Sequence, residues 1–527
     1  MNDNQSNKAA PGAGKAKSLS DRYDYIVVGA GSAGCVIARR LTEGTDFSVL
    51  LVEPGGSDAG IESIANPGQW VMNIGAPHDY LYSYEPSELI HNRIIPVPRG
   101  KVLGGSGSIN AITWTRGNKA DYDGWAAAGN KGWDYESVLP LFKKIEDWEG
   151  GETDFHGAGG PIAIGNAKDL HFVPAALVEA GRTFGMPVLA DTNGPAPEGV
   201  GAMVLNVRDG VRSSPTEYLK PVYDSDRLTV LTYSKVVRLN VKNGRCIGAD
   251  ILSGDKVHTV AVNEEVVLSA GSLDTPRILM LSGIGDSEEL RKLDIETIVH
   301  LPGVGKNLQD HPLIAGLCFE ASRPIGIPNN NLAGSVALWK SKKDLKVPDL
   351  MYLPLQVPYL THEIAREYEV PENVFCLVPG LVGPKSRGYL KMRTNRHDGP
   401  LEIQPNFISA PEDLEALVSA VHIAMELINQ PAYQAIIKRR IVPGKLDSRA
   451  AIETFIRDGL TSYFHPVGTC AMGPGADGVV DSDLRVYGIE GLRIADASVM
   501  PSITSANTNA ATMMIGEFVS RSILTGK

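Results

Sequence analysis

Apolar and polar positions divide the start of this chain into segments of two different periods. Ile26, Val27 and Val28 form an unbroken β-branched run, residues 35–41 carry apolar side chains at helical spacing, and residues 47–52 return to a continuous apolar run. Continuous runs predict strands buried on both faces, and the segment between them predicts a helix. Strand, helix and strand within about 30 residues open a parallel α/β unit. Further along, residues 349–359 and 402–407 alternate or run apolar as strands do, and residues 411–428 have helical spacing. Near the end a short buried strand is predicted over 492–495, followed by a helix over 511–524. The expected class is α/β, or α+β when the whole chain is counted.

The turn between the first strand and helix reads GAGSAG, with Gly29, Gly31 and Gly34. Glycines there let the backbone approach a pyrophosphate at a helix N-terminus, and Glu53 at the end of the second strand can accept hydrogen bonds from a ribose diol. The chemistry indicated is an ADP-containing cofactor. A second glycine and serine block, RGKVLGGSGSIN over residues 99–110, offers further N–H groups and hydroxyls to an elongated ligand. The polar loop 502–509 precedes the last helix, whose positive N-terminal end suits the negative charge of a reduced flavin ring.

Composition narrows the class. The chain has 527 residues, room for about three domains' worth of chain or two large ones. Its formal net charge of −11, with no basic block beyond the lysines at 340–346, argues against a nucleic-acid partner. Five cysteines (Cys35, Cys246, Cys318, Cys376, Cys470) lie without metal-ligand spacing; a reducing, cytoplasmic setting is expected, and no metal. Residues 1–22 are polar and read as a flexible leader. No stretch approaches 18 uninterrupted apolar residues, so no membrane-spanning helix is predicted.

Longer motifs are more specific than the nucleotide turn. Residues 100–123 read GKVLGGSGSINAITWTRGNKADYD and residues 271–285 read GSLDTPRILMLSGIG. HGAGGP follows at 156–161, LPGVGKNLQDH at 301–311 and HPVGTCAMG at 465–473. In these the chain resembles the glucose-methanol-choline (GMC) family of flavin oxidoreductases from Tyr23 to its end. The resemblance implies non-covalent FAD in a discontinuous Rossmann-like domain, residues 23–161, 200–320 and 462–527. A substrate-binding domain of antiparallel sheet covered by helices would use 162–199 and 321–461. It also implies that Gly29, Gly31, Ser32, Ala33, Gly34 and Glu53 meet the pyrophosphate and ribose, and that Val236 faces the adenine. Ser106, Asn110, Ala111 and Thr113 would line the flavin side, with Asp496 and Ala497 closing its far end. Some relatives attach FAD through a histidine just before that asparagine; here the position is Ile109. Pro54 stands where relatives usually carry alanine.

Alcohol oxidation on a flavin needs a base of near-neutral pKa, which histidine supplies. By resemblance His465 is that base and Asn509 its partner on the alcohol oxygen, the hydride passing to flavin N5. His311 reads as structural, while Trp114, Tyr463 and Phe464 are expected next to the site. The apolar segment 350–357, with Tyr359, favours a neutral primary alcohol, aryl or medium-chain aliphatic, over sugars. The electron acceptor is oxygen or a quinone. A lyase or fatty-acid photodecarboxylase of the same fold and a choline-type dehydrogenase stay open as alternatives.

Overall fold

The computed structural model describes residues 18–526. The proposed leader lies mostly outside the described residues; at its end, the first strand already begins at Arg22. Two sheets carry the fold. The first is built on β1 (Arg22–Val28) and β2 (Val49–Val52), with α1 (Ser32–Thr42) between them. It continues through β3 (Leu228–Leu231), β4 (Ser234–Lys242), β5 (Arg245–Ser253) and β6 (Lys256–Leu268), and α2 (Gly271–Leu281) follows. The strand order is β3-β2-β1-β6-β5-β4, and β7 (Leu492–Ile494) pairs with the end of β6. Pairing is parallel from β3 to β6 and with β7, and antiparallel across β6-β5-β4. Val49 to Val52 are all buried, as the continuous apolar run predicts for a parallel strand covered on both faces.

The last helix, α3 (Asn509–Leu524), packs on α1 so closely that a Cβ on Gly516 would stand 3.0 Å from the Ala33 carbonyl. It starts two residues earlier than its apolar periodicity predicts, because its first residue, Asn509, is polar and lines a cavity.

The second sheet has nine strands and is antiparallel apart from one edge pair. Its backbone path runs Ile437–Val442, Cys318–Ala321, Val374–Leu381, Leu350–Leu355, Ser335–Trp339, Gly199–Ala202 and Val188–Leu189. Pro312–Ile314 pairs with Val374–Leu381, and Leu460–Ser462 pairs with Pro312–Ile314. Three of these strands, 199–202, 312–314 and 318–321, fall wholly or mainly in segments expected in the FAD domain, and 460–462 straddles the expected boundary. Ile162–Asn166, expected in the substrate domain, pairs instead with Glu146–Trp148 and Val204–Leu205 in a small sheet of its own. The reason is hydrogen-bond partnership: a strand belongs to the sheet its neighbours build, and those neighbours lie far away in the chain. Helix Pro411–Ile428 matches its predicted span and packs against Val374–Leu381. All five cysteines are buried and free. Among the described residues, no helix is long and apolar enough to cross a membrane, and no cluster has the make-up of a metal site.

Candidate active site

A cavity of about 250 Å³ lies between the two sheets, from Glu53 and Val236 at one end to His465 at the other. Its first wall is the glycine turn. Gly29 has φ +98°, and a Cβ on it would stand 2.5 Å from the Ser269 carbonyl oxygen. Gly31, Ser32 and Ala33 line the cavity; Gly34 does not. A Cβ on Gly34 would meet the Gly29 carbonyl at 1.9 Å, so this glycine lets helix and strand pack and is not a ligand contact. Gly105 of the second glycine block (φ +55°) abuts Gly31, where a Cβ would come within 2.7 Å of its Cα. The two blocks therefore form one continuous cradle. Ser106, Asn110, Ala111, Thr113, Asp496 and Ala497 also line the cavity, as the motifs imply.

Glu53 is buried, and its carboxylate accepts hydrogen bonds from the Ala30 N–H at 3.0 Å and the Gly55 N–H at 2.9 Å. Burial pushes its pKa up to about 7, so further donors such as ribose hydroxyls would stabilise the charged form. At the start of α3 the Asn509 side-chain amide Nδ2 is buried without a partner, while its Oδ1 accepts from Ser32 Oγ at 2.7 Å. An orphaned donor at the first turn of α3, beside the cavity, fits the carbonyl-rich edge of a flavin. These residues fit FAD: acid and glycines at the nucleotide end, donors and a helix N-terminus at the ring end. Ile109 lines the cavity and offers no nucleophile for attachment. Acid precipitation is therefore expected to release all flavin into the supernatant; yellow colour retained in the pellet would show a covalent link.

The His465 end is assembled by strand pairing. Pro312 pairs with Ser462 at the joined ends of two antiparallel strands, so His311 and the segment after Ser462 become neighbours. The Tyr463 N–H donates to the His311 carbonyl at 3.0 Å. Phe464 is left-handed, with φ +64°, a strained conformation for a non-glycine residue. Three groups hold it there. Its N–H donates to Ser462 Oγ at 2.6 Å, its carbonyl accepts from Arg99 Nη2 at 2.6 Å, and the following His465 N–H donates to Asp310 Oδ1 at 2.8 Å. Asp310 also accepts from Tyr84 and Ser462 hydroxyls and from the His311 N–H. This buried clamp turns the imidazole of His465 towards the cavity.

His465 stands between two partners. Its Nδ1 lies 3.0 Å from His311 Nδ1, and its Nε2 lies 3.2 Å from Asn507 Nδ2. Asn507 Oδ1 accepts from Thr115 Oγ1 at 3.3 Å, which turns the amide nitrogen towards the imidazole. The network assigns the tautomer: Nε2 accepts from Asn507, so the proton sits on Nδ1 and is donated to His311. Burial holds His465 well below the ordinary histidine pKa, helped by His311 and Arg99, and burial pushes fully enclosed His311 down to about 3. Both rings are neutral near pH 7. The one lone pair on Nε2 accepts from the Asn507 amide at the cavity wall, and it becomes free for another proton when that amide turns to a different acceptor.

Two expectations change here. The amide that meets His465 belongs to Asn507; Asn509, two residues on, lines the same cavity but bonds to Ser32. The polar segment 502–509 contains both asparagines, and nothing in their spacing separates them. His311, expected as structural, is the hydrogen-bond partner of His465 Nδ1; its place after LQD gave no signal of that contact. Trp114 is fully buried, bonded to Glu146 and absent from the cavity wall, whereas Tyr463 and Phe464 line it.

Comparisons with known proteins agree with this geometry. Family models described as GMC oxidoreductase match residues 23–313 and 384–516. The mitochondrial choline dehydrogenase of Mus musculus is 35% identical, over 94% of this chain and 88% of its own. The oxygen-dependent choline dehydrogenase of Rhizobium etli is 35% identical over 95% of both chains. The crystal structure of pyridoxine 4-oxidase from Mesorbium loti superposes with a TM-score of 0.91 at 30% identity, covering 95% of this chain and 99% of that one. With the cradle, the acid on the second strand and the full-length matches all agreeing, the chain belongs to the GMC family of FAD-dependent oxidoreductases that act on CH–OH donors.

Proposed function

We propose that this protein oxidises a neutral primary alcohol, aryl or medium-chain aliphatic, to the aldehyde, with His465 as base and Asn507 as its partner on the substrate oxygen. The observation that carries the choice of substrate is the wall near His465. Leu313, Leu353, Leu355, Tyr359 and Val378 form it, and no carboxylate is among them. The carboxylates that line the cavity elsewhere are engaged: Glu53 with Ala30 and Gly55, Asp274 with Tyr82 and Arg277, Asp496 with Gly271, Thr275 and Ser498. A quaternary ammonium group would lack a counter-ion, which weighs against choline although relatives carry that name.

FAD, when bound, supplies the hydride acceptor. The residues do the rest. The Asn507 amide would turn its N–H from Nε2 to the alcohol oxygen, and the lone pair so freed on His465 Nε2 takes the hydroxyl proton. The resulting imidazolium keeps donating from Nδ1 to His311, whose neutral ring accepts that hydrogen bond and shares the charge. Tyr463, stacked over His465 with ring centroids 5.8 Å apart, covers the face of the base. The apolar wall excludes water from the carbon–hydrogen bond to be broken. The five free thiols support a reducing, cytoplasmic setting.

The test is anaerobic reduction of the bound flavin by a panel of alcohols, followed by absorbance. Neutral aryl and aliphatic primary alcohols are expected to bleach it and choline to do so poorly; no bleaching by any alcohol would leave the lyase and photodecarboxylase readings. The pH profile has a fixed sign. A base must be unprotonated, and the pKa of His465 lies below the usual value, so kcat/KM should be flat from neutral pH upward. It should fall only on acidification below the ordinary histidine range.

A further inference from the structure

A second, smaller cavity lies behind Asn507. It measures about 20 Å³, room for one water-sized molecule. Thr113, Met203 and Asn507 belong to the walls of both cavities, so only these side chains separate the small cavity from the catalytic one. Its other walls are mostly apolar, with Val336, Leu338 and Met351 of the nine-stranded sheet prominent, and no charged residue lines it. Gly117, Asn118 and Ser505 also line it and are partly exposed, so it leads from the surface towards the base.

The outer wall is held in place by the rest of the fold. Thr192 and Pro197 stand on a loop that Asn193 ties down, accepting from the Arg116 N–H at 2.9 Å and donating to the Trp114 carbonyl at 3.0 Å. Asp191, on the same loop, is bonded to His156 at 3.0 Å. The cavity is preformed.

We infer that this cavity is the route and resting site of dioxygen, the electron acceptor, and is separate from the path of the alcohol. The inference rests on the alcohol-oxidising reading above. Alcohol oxidation releases two electrons and two protons. Dioxygen takes up both pairs and leaves as hydrogen peroxide, its double bond becoming single as two O–H bonds form. The proton that His465 has accepted is one of the two required, and the cavity opens next to the amide that touches His465. A neutral diatomic fits the volume and the uncharged walls; an alcohol of the proposed class does not, and a quinone ring is far too large. Reaching the site from behind, dioxygen would not wait for the aldehyde to leave the main cavity.

The experiment pairs a ligand readout with kinetics on the FAD-loaded enzyme. Crystals pressurised with xenon, an apolar probe of similar size, should show density between Leu338 and Asn507. In stopped flow, Leu338→Phe is expected to lower the second-order rate constant for reoxidation by dioxygen about tenfold. Its anaerobic reduction by alcohol should stay within about twofold of wild type. Val336→Leu provides a milder filling of the same space if the larger change impairs folding.

An ordered water on the unpartnered Thr192 hydroxyl that xenon does not displace would overturn the inference. So would unchanged reoxidation in a variant shown to exclude xenon. Slower reduction or a raised KM for the alcohol would make the cavity part of the alcohol site, and would overturn it as well. Wild-type enzyme that alcohols reduce but dioxygen does not reoxidise would refute this inference and leave the proposed function standing. Failure of every alcohol to reduce the enzyme would refute the proposed function itself.

Discussion

His465→Ala is expected to retain its FAD and to be reduced by alcohols roughly 10² to 10⁴ times more slowly than wild type. FAD should stay because the cradle lies elsewhere: Glu53, the glycine turn and the second glycine block do not depend on the imidazole. The rate should fall because no other side chain can take over. Among the described residues, the titratable neighbours of His465 are His311, fully buried behind it, and Tyr463, whose hydroxyl donates to the Met351 carbonyl. Raising the pH should recover part of the lost rate in the variant, since a larger fraction of alkoxide then compensates for the missing base. Stopped-flow reduction without oxygen separates this effect from reoxidation. Reduction at the wild-type rate would remove His465 from the mechanism.

The second large effect divides the two asparagines. Asn507→Ala is expected to slow flavin reduction about 10²-fold, the scale of losing one preorganised donor to a developing oxyanion. It also frees Thr115 Oγ1 and the lone pair of His465 Nε2, so the base loses its aim together with the substrate contact. Asn509→Ala removes a different set of bonds: the contact with Ser32 and the unpartnered amide beside the cavity. Its expected signature is weaker FAD retention or a shifted flavin spectrum, with a smaller loss of reduction rate. Titrating flavin release for both variants beside single-turnover reduction checks the division. If Asn509→Ala proves the slower of the two in reduction while Asn507→Ala is near wild type, the partner is the residue that the motif pattern first suggested.

The strained turn explains why these residues must act as a unit. Phe464 adopts a left-handed backbone that Arg99, Ser462 and Asp310 hold from three sides. Asp310 bonds to the backbone N–H groups of both His311 and His465, so one carboxylate sets the positions of both rings. Arg99 comes from the second glycine block, Asp310 from the LQDH segment, and Phe464 from the segment before HPVG. Three motifs that look independent in the sequence are one clamp in the molecule.

By itself the amino-acid sequence determined the family and its cofactor, the two strands and helix around the glycine turn, and the histidine, His465, that we propose as base. Those features are local: a glycine turn, an apolar period and a motif are written within a few dozen residues, where backbone geometry follows from neighbouring residue types. Only the tertiary structure decided that Asn507, and not Asn509, meets the imidazole. One residue ends a loop and the other begins a helix, and that turn of the chain points their amides to different partners. Only the tertiary structure put His311 behind His465, because antiparallel pairing of Pro312 with Ser462 joins positions some 150 residues apart. It also drew Gly199–Ala202, Pro312–Ile314 and Cys318–Ala321 into the substrate-side sheet. Backbone hydrogen bonds between distant strands carry no residue code of their own, so register and sheet membership emerge only when the whole chain packs.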